Sequence, residues 1–174
     1  TVIQPQLNKK PRYYVSLRGS IDRRLKKQVS IEWVANYVAK NPECNKVINW
    51  LEGVTAARHI ENKIVVSPNE NGDYESRITI DKFRAGQCDW GLQNIYYRLL
   101  NKSSRNNNRI GISDTAFDNQ KNLKTTYESN YRWLCSGQNQ LTCELKYVTL
   151  FNEDFRLNNQ HNYVVKVDIQ RGGL

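Results

Sequence analysis

Four cysteines lie within or beside segments that alternate apolar and polar residues, and this feature constrains the fold more than any other. Paired cysteines indicate an oxidising compartment, because disulfides are rare in the cytosol. The chain begins at Thr1 and contains no methionine, so we expect that an N-terminal segment has been removed. We therefore predict the mature part of an exported protein, with the bacterial periplasm as its location.

The dominant sequence period is two, which is typical of β-strands with one buried face. Apolar side chains alternate in this way over residues 29–38, 131–135, 141–147 and 163–169. Residues 64–67 and 74–80 flank Asn71-Gly72, a pair that accepts the positive φ of a tight turn, so we predict a hairpin there. Residues 90–99 form a further predicted strand.

Short strands separated by turn signals predict a mainly β fold. We expect an antiparallel β-sandwich of the immunoglobulin or transthyretin-like kind, with at most one or two short helices. Residues 46–57 are the predicted helix, because their apolar residues fall at helical spacing. Burial of apolar side chains is the main driving force, and the predicted core comprises Trp33, Trp90, Trp133, Tyr147, Val165 and Val167.

The net charge of +9 is concentrated at the N-terminus. Residues 1–27 contain eight lysines and arginines against Asp22 alone, so they carry +7 of it. We predict a basic N-terminal arm over residues 1–27 and a single β-sandwich domain over residues 28–174. Such an arm suits an anionic membrane, nucleic acid or an acidic protein, or serves only to solubilise the chain. We expect that deleting residues 1–11 leaves the melting temperature nearly unchanged.

The four cysteines allow three pairings. Cys135 and Cys143 occupy the two arms of a predicted hairpin with the same parity, so we predict a disulfide between them. Cys44 is then left to pair with Cys88. The alternative is a four-cysteine metal site, but structural zinc usually requires a Cys-x-x-Cys pair and the chain has none.

Motifs for catalysis are sparse. His59 and His161 lie far apart in sequence, outside metal-ligand spacings, and no nucleophile elbow or phosphate-binding glycine loop occurs. The carboxylates that could serve a glycosidase fall mostly on outward faces or loops. They are Glu128, Glu144, Asp154 and Asp168. We therefore predict a protein that is not an enzyme and binds neither a cofactor nor a metal.

Nucleic-acid binding is also disfavoured. Arg12-Tyr13-Tyr14 and Tyr96-Tyr97-Arg98 interleave cations with aromatic rings, as single-strand binders do. Tyrosine-rich strands are nevertheless common in sandwich cores, and an oxidising compartment holds little nucleic acid. A rigid scaffold with polar loops and surface aromatics is instead typical of a binding module.

Two short motifs carry a resemblance to a known group of proteins. They are Phe83-Arg84-Ala85-Gly86-Gln87-Cys88-Asp89-Trp90, followed by Gln93-Asn94-Ile95-Tyr96-Tyr97, and the earlier Asn41-Pro42-Glu43-Cys44. Over roughly residues 29–148 the chain resembles small periplasmic lipoproteins of Gram-negative bacteria. Several of these look like immunity proteins encoded beside toxins of the type VI secretion system. The resemblance implies a sandwich with two cysteine pairs and a lipid anchor in the outer membrane, upstream of Thr1.

The resemblance implies a protein that binds and blocks a toxin entering the periplasm. Because the chain is basic, we expect an acidic contact surface on that toxin, and slower association at high ionic strength. Arginine and tyrosine are common at binding hot spots, so the predicted contacts are Arg84, Tyr74, Arg105 and Arg109. The alternatives are a secreted enzyme or carbohydrate-binding module with a site assembled from scattered residues, and an envelope component that contacts anionic lipid.

Overall fold

The computed structural model describes residues 4–102, 109–112, 116–119, 128–137, 141–146 and 162–173. Its strands are β1 Tyr13–Ile21, β2 Val29–Ala39, β3 Lys46–Asn49, β4 Val54–Ala56, β5 His59–Val66, β6 Asp73–Thr79, β7 Trp90–Asn101, β8 Arg109–Ile112, β9 Phe117–Asp118, β10 Glu128–Ser136, β11 Thr142–Lys146 and β12 Asn162–Gly173. Helical structure in these ranges is limited to one 3-10 turn at Pro42–Cys44.

The strands form two antiparallel sheets and a separate hairpin. The first sheet has the order β11-β10-β12-β1-β6, and the second has the order β5-β2-β7-β8, with β9 also paired to β7. Strands β3 and β4 pair only with each other among the described strands. One apolar cluster draws buried side chains from both sheets. The predicted antiparallel β-sandwich is therefore confirmed.

Large aromatic side chains fill the space between the sheets. Trp33, Tyr37, Tyr97 and Phe117 are fully buried. Tyr37, on the second sheet, donates a hydrogen bond from its hydroxyl to the Thr79 carbonyl on the first, at 2.6 Å. The core prediction is confirmed for all its described members, which are Trp33, Trp90, Trp133, Val165 and Val167. Tyr147 lies outside the described residues.

The prediction of a basic arm over residues 1–27 is wrong for its second half. Strand β1, Tyr13–Ile21, lies inside the first sheet and pairs with β12 on one side and β6 on the other. Val15 and Leu17 are buried, whereas Arg18 points outward and lies 3.2 Å from Glu75. The basic composition of this segment led to the prediction of an arm, although its cations lie on the outer face of the strand and in the adjoining loops.

The turn predicted at Asn71-Gly72 is present, but it does not close a hairpin. The strand before it, β5, belongs to the second sheet, and the strand after it, β6, belongs to the first. Gly72 has a φ of +84°, and a Cβ there would overlap the carbonyl of Ile21. The Ile21 amide donates to the Gly72 carbonyl at 2.7 Å, so the turn is held against the end of β1.

The predicted helix over residues 46–57 is a β-hairpin instead. Its register pairs Lys46 with Ala56 and Val47 with Thr55. The segment is rich in β-branched residues, which favour strands over helices. Its turn contains Gly53 at a φ of +66°. Helical spacing of apolar residues was therefore a misleading signal, because these side chains do not pack into a core.

Candidate functional site

The β3–β4 hairpin, residues 46–56, is the largest apolar exposure that the structure describes. Val47 is 63 % exposed, Ile48 60 %, Trp50 78 % and Leu51 75 %. Because consecutive strand residues point to opposite faces, exposure of both Val47 and Ile48 means that neither face of β3 packs on the sandwich. The hairpin therefore projects from the body and presents Trp50 and Leu51 at its tip.

The tip is shaped by local hydrogen bonds. The Asn49 side chain accepts from the Leu51 amide at 3.1 Å, and the Gly53 amide donates to the Trp50 carbonyl at 3.4 Å. Asparagine favours such turns because its side chain can hydrogen-bond to the nearby backbone, and glycine favours them because it accepts a positive φ. The sequence Asn49-Trp50-Leu51-Glu52-Gly53 thus displays two large apolar side chains on a defined turn.

The base of the hairpin is braced by a disulfide. Cys44, in the 3-10 turn just before β3, is bonded to Cys88, just before β7, with the Cα atoms 5.6 Å apart. Arg58, just after β4, donates from Nε to the Cys44 carbonyl at 3.0 Å. The disulfide packs with Ala39 and Trp90 in a small buried cluster. Both ends of the hairpin are therefore anchored to β2 and β7.

Two clefts open beside this base. One, of about 610 Å³, is lined by Gln4, Pro5, Arg58, His59, Ile60, Phe83 and Trp90. The other, of about 620 Å³, shares Gln4, Pro5 and Trp90 with the first and adds Glu43, Cys44, Arg84 and their neighbours. We call the hairpin and these two clefts the hairpin pole. It combines a convex apolar projection with concave clefts that are partly lined by aromatic side chains.

The hairpin and its clefts carry three cations and two carboxylates. The hairpin itself carries Lys46 and Glu52, both exposed. Arg58 and Arg84 line the clefts together with Glu43. No group of three histidine, cysteine, aspartate or glutamate side chains that could hold a metal occurs in the described residues. This surface therefore suits a partner that binds mainly by burying apolar side chains, with the few charged side chains setting its orientation.

A second group of cations lies at the other end of the sandwich. The loop between β1 and β2, residues 22–28, contains four cations and one carboxylate, and Leu25 anchors it in the core. Arg23 donates to Asn71 Oδ1 at 2.9 Å, and Arg24 lies 2.9 Å from Asp22 Oδ2. Since β2 runs from this basic loop to the hairpin base, the two surfaces are separated by the length of that strand.

The structure places the four predicted contact residues in different surroundings. Arg84 is exposed and lines a cleft of the hairpin pole. The prediction that Tyr74 contacts a partner is wrong, because the side chain is buried and its hydroxyl donates to the Lys166 carbonyl at 3.0 Å. Burial also raises the pKa of Tyr74. Arg109 lies on β8, with its side chain outside the described residues, and Arg105 lies outside them altogether.

Both predicted disulfides are confirmed. Cys44 is bonded to Cys88, and Cys135 is bonded to Cys143 across the β10–β11 pair. Disulfides of this kind indicate an oxidising, extracytoplasmic environment. Within the described part of the chain, no helix is both long and apolar enough to cross a membrane.

Sequence reasoning missed Trp50 and Leu51 as surface residues. The signal that could have identified them is the turn-forming Asn49 and Gly53 on either side, inside a run of β-branched residues. Comparison with known proteins adds no assignment, since no family model, curated protein or solved structure matches the chain.

Proposed function

We propose that this chain is a non-catalytic binding protein that neutralises a protein toxin in the bacterial periplasm. The exposed, disulfide-braced hairpin is the observation that carries the proposal. Soluble proteins seldom expose contiguous apolar side chains of this size unless the surface binds something. Tryptophan is among the residues most enriched at binding hot spots.

The hairpin has the shape of an inhibitory projection. It is convex and narrow, so it suits a concave partner surface such as an active-site cleft. Its base is held by the Cys44–Cys88 disulfide and by the Arg58 hydrogen bond. A pre-ordered binding element loses little conformational entropy on association, which favours affinity. We propose that the hairpin blocks the toxin by occupying such a cleft.

The setting of the proposal is a type VI secretion system. The motifs around Cys44 and Cys88 resemble those of periplasmic immunity lipoproteins, and they supply the disulfide that braces the hairpin. Two disulfides suit an extracytoplasmic protein. A lipid anchor upstream of Thr1 and a periplasmic location belong to this proposal.

A carbohydrate-binding protein is the second candidate. The cleft of about 610 Å³ has the size of small-molecule sites, and Phe83 and Trp90 line it beside Arg58 and His59. In this alternative the ligand is a glycan of the envelope and the cleft replaces the hairpin as the contact surface.

The test compares two variants in a toxin-protection assay. Trp50→Ala with Leu51→Ala removes the tip, whereas Val65→Ala removes an exposed apolar side chain near the other end of β5. Cells exposed to the toxin encoded beside this gene should survive with the wild-type and the control variant in the periplasm. The tip variant should bind that toxin at least about tenfold more weakly and protect poorly. Equal protection by both variants would reject the hairpin as the contact surface.

Absence of any complex with the product of the adjacent gene would reject the toxin proposal itself. The carbohydrate candidate predicts a different pattern, in which a glycan array gives binding that His59→Ala, an exposed position in the cleft, weakens and the tip variant retains.

A further inference from the structure

The hairpin pole carries a projection and a recess of matching chemistry on the same end of the molecule. The projection is the tip Trp50-Leu51-Glu52, two apolar side chains followed by a carboxylate. The recess is the pair of clefts, with Phe83 and Trp90 among its apolar lining and with two arginines and Glu43 on its walls. Each surface has the composition that the other would require of a partner.

Charged side chains on the tip and in the clefts could fix the orientation of one relative to the other. Glu52 is exposed at the tip, directly after the two apolar residues. Arg58 lines the first cleft and Arg84 lines the second. A tip that enters the recess of another copy brings Glu52 to the walls that carry these guanidinium groups, so Glu52 is the carboxylate available to pair with them. Arginine and a carboxylate can form two parallel hydrogen bonds, so the pair adds orientation to apolar burial.

We propose that the hairpin pole binds a second copy of this chain, with the tip of each copy seated in the clefts of the other. A twofold arrangement makes every contact occur twice, because the same patch serves on both subunits. The apolar side chains Val47, Ile48, Trp50 and Leu51 are then covered in both copies. The arrangement also explains why a soluble chain tolerates such exposure, since the monomer is only one of its states.

This dimer goes beyond the proposed function and is independent of it. If the chain both forms this dimer and binds a toxin, the toxin and the second copy compete for one surface. Toxin binding then dissociates the dimer. The dimer is testable without any toxin, so its failure and that of the toxin proposal are distinguishable.

Sedimentation velocity over a concentration series, from low micromolar upward, tests the dimer on the purified chain. The wild-type should shift from monomer to dimer as concentration rises. Trp50→Ala with Leu51→Ala should remain monomeric, and Val65→Ala should dimerise like the wild-type. Because Trp50 and Leu51 lie on the surface, the tip variant should keep the wild-type circular dichroism spectrum and melting temperature. A monomeric wild-type, or a tip variant that dimerises normally, would overturn the proposal.

A charge exchange tests the pairing of Glu52 with Arg84. Glu52→Arg and Arg84→Glu should each weaken self-association at least about tenfold, because like charges then face each other twice. An equimolar mixture of the two variants should recover wild-type association, since both contacts in the mixed dimer join opposite charges again. A mixture that stays as weak as its components would refute this geometry.

Discussion

Trp133 and Tyr97 are joined across the sandwich by a buried hydrogen bond, in which Trp133 Nε1 donates to the Tyr97 hydroxyl at 2.6 Å. Trp133 lies on β10 of the first sheet and Tyr97 on β7 of the second. Their ring centroids are 6.1 Å apart in an edge-to-face arrangement, and Tyr97 also packs on Trp33 at 4.7 Å. This cluster links the two sheets by a hydrogen bond as well as by the burial of apolar surface.

Replacing Trp133 with phenylalanine should therefore lower the free energy of unfolding by about 2–3 kcal/mol, since it removes a buried donor and part of a buried ring. Urea denaturation should show a lower midpoint with an unchanged slope. Trp50→Phe is the matched control and should change stability by less than about 0.5 kcal/mol, because Trp50 lies on the surface. Equal effects from the two substitutions would contradict the assigned role of the Trp133–Tyr97 pair.

The core-facing side was predictable for the strands in which alternation was recognised, because alternation reports on burial. Trp33, Val165 and Val167 lie in the core as their parity indicated. Parity also predicted that Cys135 faces Cys143. Pairing between distant strands was not predictable in this way, since the turn at Gly72 is compatible with strands in one sheet or in two. The structure places β5 and β6 in different sheets.

The candidate site was less predictable than the core. Val47, Trp50, Leu51 and Val54 are spaced for one face of a helix, and apolar residues at such spacing are usually buried. Whether a segment packs against the body depends on contacts remote in sequence, and here the hairpin makes few of them. Net charge was similarly uninformative about β1, because Arg18 can reach solvent from a strand whose other face is buried.

The two disulfides should differ in their contribution to stability. Cys44 and Cys88 are 44 residues apart, whereas Cys135 and Cys143 are 8 apart. In the chain-entropy model, these loops correspond to roughly 4 and roughly 2.5 kcal/mol. Replacing both cysteines of a pair with serine, followed by urea denaturation, should show the larger loss for the Cys44–Cys88 pair. The reverse order would show that the local β10–β11 brace dominates.

Residues 1–11 and strand β1 should contribute unequally to the stability of the fold. The Asn8 amide donates to the Lys82 carbonyl, and the Arg84 amide donates to the Gln6 carbonyl, both at 2.8 Å. The sequence led us to expect almost no change in melting temperature when residues 1–11 are deleted, but the deletion removes these bonds and should lower it by about 3–10 °C. Deleting residues 1–21 also removes β1 from inside the first sheet and should abolish folding. A folded 22–174 fragment would contradict the sheet order.

Alkaline solution should destabilise the protein through its buried tyrosines. Burial raises the pKa of Tyr37 and of Tyr97 above the ordinary tyrosine value, so both hydroxyls stay protonated in the native state where the unfolded chain has begun to ionise. The native state then binds more protons than the unfolded state, and stability falls as pH rises. Their contribution is complete below about pH 10, the unfolded value, and is lost progressively above it.

Each buried tyrosine should steepen the alkaline loss by up to about 1.4 kcal/mol per pH unit. Urea denaturation at a series of pH values from neutral to strongly alkaline measures this loss as a fall in the free energy of unfolding. Tyr37→Phe removes the ionising hydroxyl and its hydrogen bond to Thr79, so it should be less stable than the wild-type at neutral pH. Its stability should nevertheless fall less steeply above about pH 10. Tyr13→Phe, at an exposed position, is the control and should follow the wild-type curve. If Tyr37→Phe instead loses stability in parallel with the wild-type, the hydroxyl of Tyr37 does not remain protonated in the folded core.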